Sequence, residues 1–92
     1  MIKTFRDRET ELLFRNLLSK RFAGIERGAR KKLNMVAAAR ELSDLRIPPG
    51  NRLEKLHGDR EGQYSIRVDD RWRICFVWHE GDAYDVEIVH YH

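Results

Sequence analysis

The sequence predicts an α+β fold: two N-terminal helices packed on an antiparallel β-sheet. Three observations lead there. Apolar residues recur at helical spacing through the first half of the chain and switch to period-two alternation after Gly62. Between the two regimes lies Ile47-Pro48-Pro49-Gly50-Asn51, which cannot continue a helix. Two short polar connectors, Asp69-Asp70-Arg71 and Glu80-Gly81-Asp82, then cut the second half into strand-length pieces.

Taken in order, Ile2 to Phe5 reads as a short edge strand. Asp7 is placed to cap a helix over residues 8–19, with Leu12, Leu13, Leu17 and Leu18 on one side and Glu11, Arg15 and Ser19 on the other. Arg21-Phe22-Ala23-Gly24 ends it. A second helix is expected over residues 26–42. Ile25, Ala29, Leu33 and Val36 cluster on one face of its wheel, with Arg27, Arg30, Lys31 and Asn34 opposite. Residues 53–56 fit a short strand, and Gly58-Asp59-Arg60-Glu61-Gly62 a glycine-bounded loop. In the next strand Tyr64, Ile66 and Val68 face one way and Ser65 and Arg67 the other. Trp72, Ile74, Phe76 and Trp78 line one face of its successor, with Arg73, Cys75 and Val77 behind. Tyr84, Val86 and Ile88 are expected to share the core face of the last strand, with Asp85 and Glu87 turned away.

With 92 residues the chain has room for one domain, expected to span 1–92. A hydrophobic fraction of 41% suffices for a small core. No apolar run approaches the roughly 20 residues that span a bilayer, and the charged start lacks the apolar region of a signal peptide. A cytoplasmic protein without membrane contact is the simplest expectation. The lone Cys75 excludes an intrachain disulfide and reads as a buried small hydrophobe. The net charge of +3 conceals an asymmetry. Residues 1–46 hold twelve Lys/Arg against six Asp/Glu, and residues 47–92 hold six against nine. A basic helical half suits a polyanion, or equally a solvated surface.

Histidines 57, 79, 90 and 92 all fall in the second half. His90 and His92 share strand parity, but no cysteine, HExxH or helical carboxylate completes a metal site, and none is expected. No phosphate-cradling glycine loop and no serine elbow occurs, so no cofactor is expected either. What remains is a set of phosphate-compatible and proton-transferring groups: Lys55, His57, Arg60, Arg67, Arg73, Tyr91 and His92. RNA cleavage through the substrate's own 2′-hydroxyl needs such a set. One group removes the proton, cations hold the phosphate, and another group protonates the leaving oxygen. Histidine suits the proton transfers, arginine and lysine the phosphate, and tyrosine the base. As final residue, His92 would also sit beside the terminal carboxylate, which favours an imidazolium. The residues alone leave a cleaving domain and a merely RNA-binding one open.

The run Pro48-Pro49-Gly50-Asn51-Arg52-Leu53-Glu54, then Gly58-Asp59-Arg60, Tyr64-Ser65-Ile66-Arg67, Trp72-Arg73-Ile74, Gly81-Asp82-Ala83-Tyr84 and the closing Tyr91-His92 resembles the HigB toxins of the RelE superfamily, also called plasmid maintenance system killer proteins. The resemblance covers the whole chain. It implies a RelE-like fold and a ribosome-dependent mRNA interferase. It also implies neutralisation by a HigA-like helix-turn-helix antitoxin, with operator DNA reached only through that partner. Carried over by position, Arg73 is implied at the scissile phosphate, with Tyr91 and His92 in the active site. His57 stands where many members have lysine, and His90 where the usual ending has aspartate; some members place a catalytic histidine at the position of Glu54. Catalytic roles are therefore expected for Arg73, Tyr91, His92, His57 and His90. RNA or ribosome contacts are expected for Arg27, Arg30, Lys31, Lys55, Arg60 and Arg67. The alternatives are a weakened member that binds antitoxin and regulates its operator, and a non-cleaving RNA-binding domain.

Overall fold

The computed structural model describes residues 1–17 and 19–90. Helices α1 (Arg8–Phe14) and α2 (Glu26–Ala38) lie on one face of an antiparallel sheet. Its strands β1 (Glu54–Lys55), β2 (Gln63–Arg67), β3 (Trp72–His79) and β4 (Asp82–His90) are neighbours in chain order. This is the expected α+β meander. Leu13 and Phe22, with Ala29, Leu33 and Val36 of α2, meet Ile66, Ile74, Phe76, Ala83, Val86 and Ile88 of the sheet in one fully buried core. Among the described residues no helix is long and apolar enough to cross a membrane.

Asp7 caps α1 as expected: its carboxylate accepts the Thr10 N–H at 2.7 Å and the Thr10 hydroxyl at 3.0 Å. The Thr10 oxygen in turn accepts the Ile88 N–H at 3.1 Å, so the cap also ties the helix to β4. The helix stops at Phe14, about a turn before its leucine pattern does. Asn16 takes a left-handed conformation (φ 65) that ends it, and Leu17 is left 51% exposed rather than packed. Ser19 is buried, not solvent-facing, and donates to the Glu9 carboxylate. Leu18 lies outside the described residues.

Helix α2 begins where expected and buries the expected face, but it ends at Ala38 rather than at residue 42. The Asp44 carboxylate accepts the N–H groups of Arg40 and Glu41, both at 3.0 Å, drawing them out of the helical ladder. Residues Leu42–Arg46 form a separate 3₁₀ turn instead. Those two N–H groups also hold the Asp44 carboxyl below the usual carboxylate range.

In β4 a bulge overturns one expectation. Cys75 pairs with Glu87 and Val77 with Tyr84, so one residue of β3 faces two of β4, and Asp85 sits at φ 52. The parity of the strand flips there. Ala83, Val86 and Ile88 are the buried set, while Tyr84 moves to the opposite face, its ring 6.4 Å from His79. The same bulge limits the N-terminal segment. Ile2 and Phe5 make isolated parallel bridges to Ala83 and Val86, and between them Thr4 accepts the Asp85 N–H at 2.8 Å. The expected edge strand is therefore two bridges along β4, not a fifth strand. The β3–β4 hairpin turns on Glu80 (φ 48) and Gly81 (φ 84), the left-handed pair that matches strand twist. A Cβ on Gly81 would also come within 3.4 Å of the Arg40 carbonyl.

Asn51 organises the entry to β1. It is fully buried, donates to the Leu45 carbonyl at 3.2 Å and accepts from the Lys32 ammonium. Burial, more than the neighbouring cations Lys31 and Arg67, lowers the Lys32 pKa. Arg52 follows in the left-handed region at φ 46. Replacing Asn51 with leucine would leave that carbonyl unpaired, at a cost of about 1–3 kcal/mol. A thermal melt should fall by roughly 4–8 °C for each kcal/mol lost. An unchanged melting temperature would show that Asn51 does not hold this turn.

Candidate active site

The sheet face away from the helices carries Ser65 and Arg67 of β2, Arg73 and Cys75 of β3, and Glu87 and Val89 of β4, in register. Toward β1 this face opens into a cleft of about 300 Å³. Lys55, His57 and Arg60 bring its positive and protonatable groups, with Glu54, Ser65 and Cys75 also lining it. Strand alternation puts Ser65 here. The 3₁₀ turn Gly58–Arg60 then brings Arg60 back over the sheet.

Arg73 projects from this face, as its parity predicted, but it is far from exposed. Only 6% of it is accessible. Its Nε donates to the Ser65 hydroxyl at 2.9 Å, and one terminal nitrogen donates to the Arg52 carbonyl at 2.8 Å. The half-exposed Glu54 carboxylate stands 3.6 Å away. The guanidinium thus lies just behind two residues that line the cleft, oriented by β2 and by the turn that Asn51 holds. Ser65, the Arg52 carbonyl and Glu54 were not singled out from the sequence as its partners. Ser65 becomes legible once the hairpin register is known, since Arg67 faces Arg73 and Ser65 faces Cys75.

Arg60 is fixed as firmly, donating to Glu87 at 2.7 Å and to Gln63 at 3.0 Å. The bond to the Glu87 carboxylate raises its pKa, so it is a permanent charge. His57 stands on the exposed rim, its Nδ1 3.7 Å from the Glu61 carboxylate. Arg67 lies on the Arg73 face but is paired with Asp70. Burial pushes the Cys75 thiol up, keeping it protonated, in line with its reading as a buried small side chain.

Two expected groups lie elsewhere. His90 pairs with Trp72, whose parity is that of the helix-side face, and the two rings meet edge-on at 4.9 Å. Trp72 packs in turn on Phe22, ring centroids 5.6 Å apart. His90 is therefore on the opposite side of the sheet from Arg73. On α2, Arg27 and Lys31 are exposed, but Arg30 donates through Nε to the Leu13 carbonyl at 3.0 Å and braces α1. Tyr91 and His92 lie outside the described residues. Among the described residues no group of three His, Cys, Asp or Glu side chains is arranged to hold a metal.

Chemically, the cleft offers one oriented guanidinium, a lysine and an imidazole on one side of a sheet, with the Arg73 guanidinium held just behind them, an arrangement suited to a phosphodiester. The α+β architecture is consistent with a RelE-like fold. The family model for HigB-like toxins, described as RelE-like toxins of the type II toxin–antitoxin system HigB, matches residues 3–92. The chain belongs to the HigB-like toxin family. It is 34% identical over 103 residues to Endoribonuclease HigB of Proteus vulgaris, covering all of both proteins. It is 48% identical over 61 residues to Toxin HigB-1 of Vibrio cholerae, covering 66% of this chain and 64% of that protein. An uncharacterized Haemophilus influenzae protein matches at 36% over 53 residues, 58% of this chain and 52% of its own length. Membership of a type II toxin family implies an antitoxin partner.

Proposed function

We propose that the chain is a ribosome-dependent mRNA endoribonuclease that inhibits translation, a single domain over residues 1–92 acting in the cytoplasm. In this reading a HigA-like helix-turn-helix antitoxin neutralises it, and operator DNA is reached only through that partner. The observation that carries this is the joining of Lys55, His57 and Arg60 on one cleft with Arg73 fixed behind it. Family membership and a full-length relative named an endoribonuclease support it. The 2′-hydroxyl of the message attacks its own phosphate, so the protein needs to move two protons and stabilise the crowded phosphate. Arg73 and Arg60 meet the developing charge, with Lys55 beside them. His57 is a proton-transferring or electrostatic group at the rim, and Tyr91 and His92 complete the site. His90, behind the sheet, supports the strand end through Trp72 rather than touching RNA.

Induction in a bacterial host followed by primer extension tests this. Discrete cuts within translated messages, absent when translation is blocked, are expected. Intact messages alongside normal antitoxin binding would make the protein a binding module instead.

The exposed α2 cations Arg27 and Lys31 lie on the helix side, away from the cleft, and are assigned to ribosomal RNA. Arg27→Glu with Lys31→Glu should weaken co-sedimentation with ribosomes, most at low salt and progressively less as salt rises, while the melting temperature holds. Arg30 is left out of this variant because it braces α1. Unchanged co-sedimentation across a salt series would return the stripe to a solvated surface.

A further inference from the structure

Resting on that reading, we propose a second RNA subsite in the hollow beneath the Leu42–Arg46 turn, which takes the base and phosphate of a nucleotide flanking the cut. The hollow measures about 430 Å³ and is lined by Leu42, Ser43, Arg46, Leu53, Lys55 and Tyr64. Glu54 pairs with Ser65 and Lys55 with Tyr64, so the hollow and the cleft open on opposite faces of the β1–β2 edge. Lys55 lines both. Because β1 is a two-residue strand at the end of the sheet, a single-stranded chain leaving the cleft crosses only that edge to enter the hollow.

The chemistry of the hollow suits this occupant. Among the described residues both charged groups that line it are cations, Arg46 and Lys55, and no carboxylate lines it. Leu42 and Leu53 give it apolar walls, and the half-buried Tyr64 ring offers a face for a base. Tyr64 is backed by Phe76, ring centroids 6.4 Å apart, so it is a preset platform. Cations that follow a backbone beside an aromatic on which a base stacks are the usual means of holding single-stranded RNA. The cleft has the cations and the hollow has the aromatic.

The test is a double-mutant cycle between protein and message on programmed ribosomes. The messages carry, at each nucleotide flanking the cut, either an abasic site or a neutral methylphosphonate. With the unmodified protein, one abasic position should raise the toxin concentration for half-maximal cleavage by about tenfold. That penalty should vanish in Tyr64→Leu. Since Tyr64 also packs on Phe76, the exposed Arg46→Ala gives an independent arm: one methylphosphonate penalty should vanish there too. A contact to ribosomal RNA would lower the affinity of every message equally and leave the penalties intact. Identical penalties in the unmodified protein and both variants overturn the proposal. So does a loss of antitoxin affinity in both variants without any such coupling, which would make the hollow a protein-docking site. A wild-type protein that cleaves no ribosome-bound message fails the proposed function itself, an outcome distinct from uncoupled penalties.

Discussion

Arg73→Ala should abolish growth inhibition and lower single-turnover cleavage of ribosome-bound message by about 10²–10³-fold, as expected when one oriented donor to a developing charge is lost. That is about 2.7–4 kcal/mol of transition-state stabilisation. The burial of this arginine adds a second consequence. Ser65 and the Arg52 carbonyl lose their shared donor, which costs the fold about 1–3 kcal/mol. The melting temperature should therefore fall together with activity, and the two must be separated. Arg73→Lys keeps the charge without the planar fork. It should recover part of the stability and little of the rate. The Glu54 carboxylate 3.6 Å away allows a further distinction. If Arg73 acts only by neutralising Glu54, then Glu54→Ala placed on Arg73→Ala restores cleavage. If Arg73 meets the phosphate, the double variant stays inactive. Full toxicity of Arg73→Ala at wild-type protein levels would reduce the residue to a structural anchor.

What the sequence made legible, and what it hid, follow from the range of the interactions involved. The Asp7 cap, the buried face of α2 and the two faces of β3 are set by residues a few positions apart, and all were readable. The early ends of both helices were not. Asn16 and Asp44 are each compatible with a continued helix, and what decides is a left-handed φ in one case and the capture of two backbone N–H groups in the other. The Asp85 bulge is hidden for a related reason. Alternation counts one residue of β4 against one of β3, and the sequence carries no mark where two face one. That single insertion exchanged Tyr84 for Ala83 in the core. At the candidate site, parity put Arg73 on the correct face. Its burial depends on Ser65 and on the left-handed Arg52, contacts eight and twenty-one residues away that only the register supplies. Arg30 shows the same limit: its wheel position reads as solvent, yet its guanidinium reaches back to the C-terminal end of α1.

His92→Ala should lower cleavage by about 10²–10⁴-fold, the range for loss of a positioned proton-transferring group, and Tyr91→Ala should act mainly through weaker placement of the nucleotide. The grounds are the chemistry of the two side chains and the resemblance that assigns them to the active site. The fold supplies the control. The buried residues of β4 are Ala83, Val86 and Ile88, and the strand is tied to α1 through the Ile88 N–H, all before residue 91. Removing Tyr91 and His92 together should therefore leave the melting temperature and antitoxin affinity close to wild type while cleavage is lost. His90→Asp, by contrast, alters a residue that packs on Trp72 behind the sheet. It should hold or increase activity, with the ring contact to Trp72 lost. The decisive measurement is single-turnover cleavage on programmed ribosomes with each variant at matched, folded concentration. If the truncated protein cuts at the wild-type rate, proton transfer cannot belong to the chain end. His57, the imidazole on the rim of the cleft, then becomes the group to replace next.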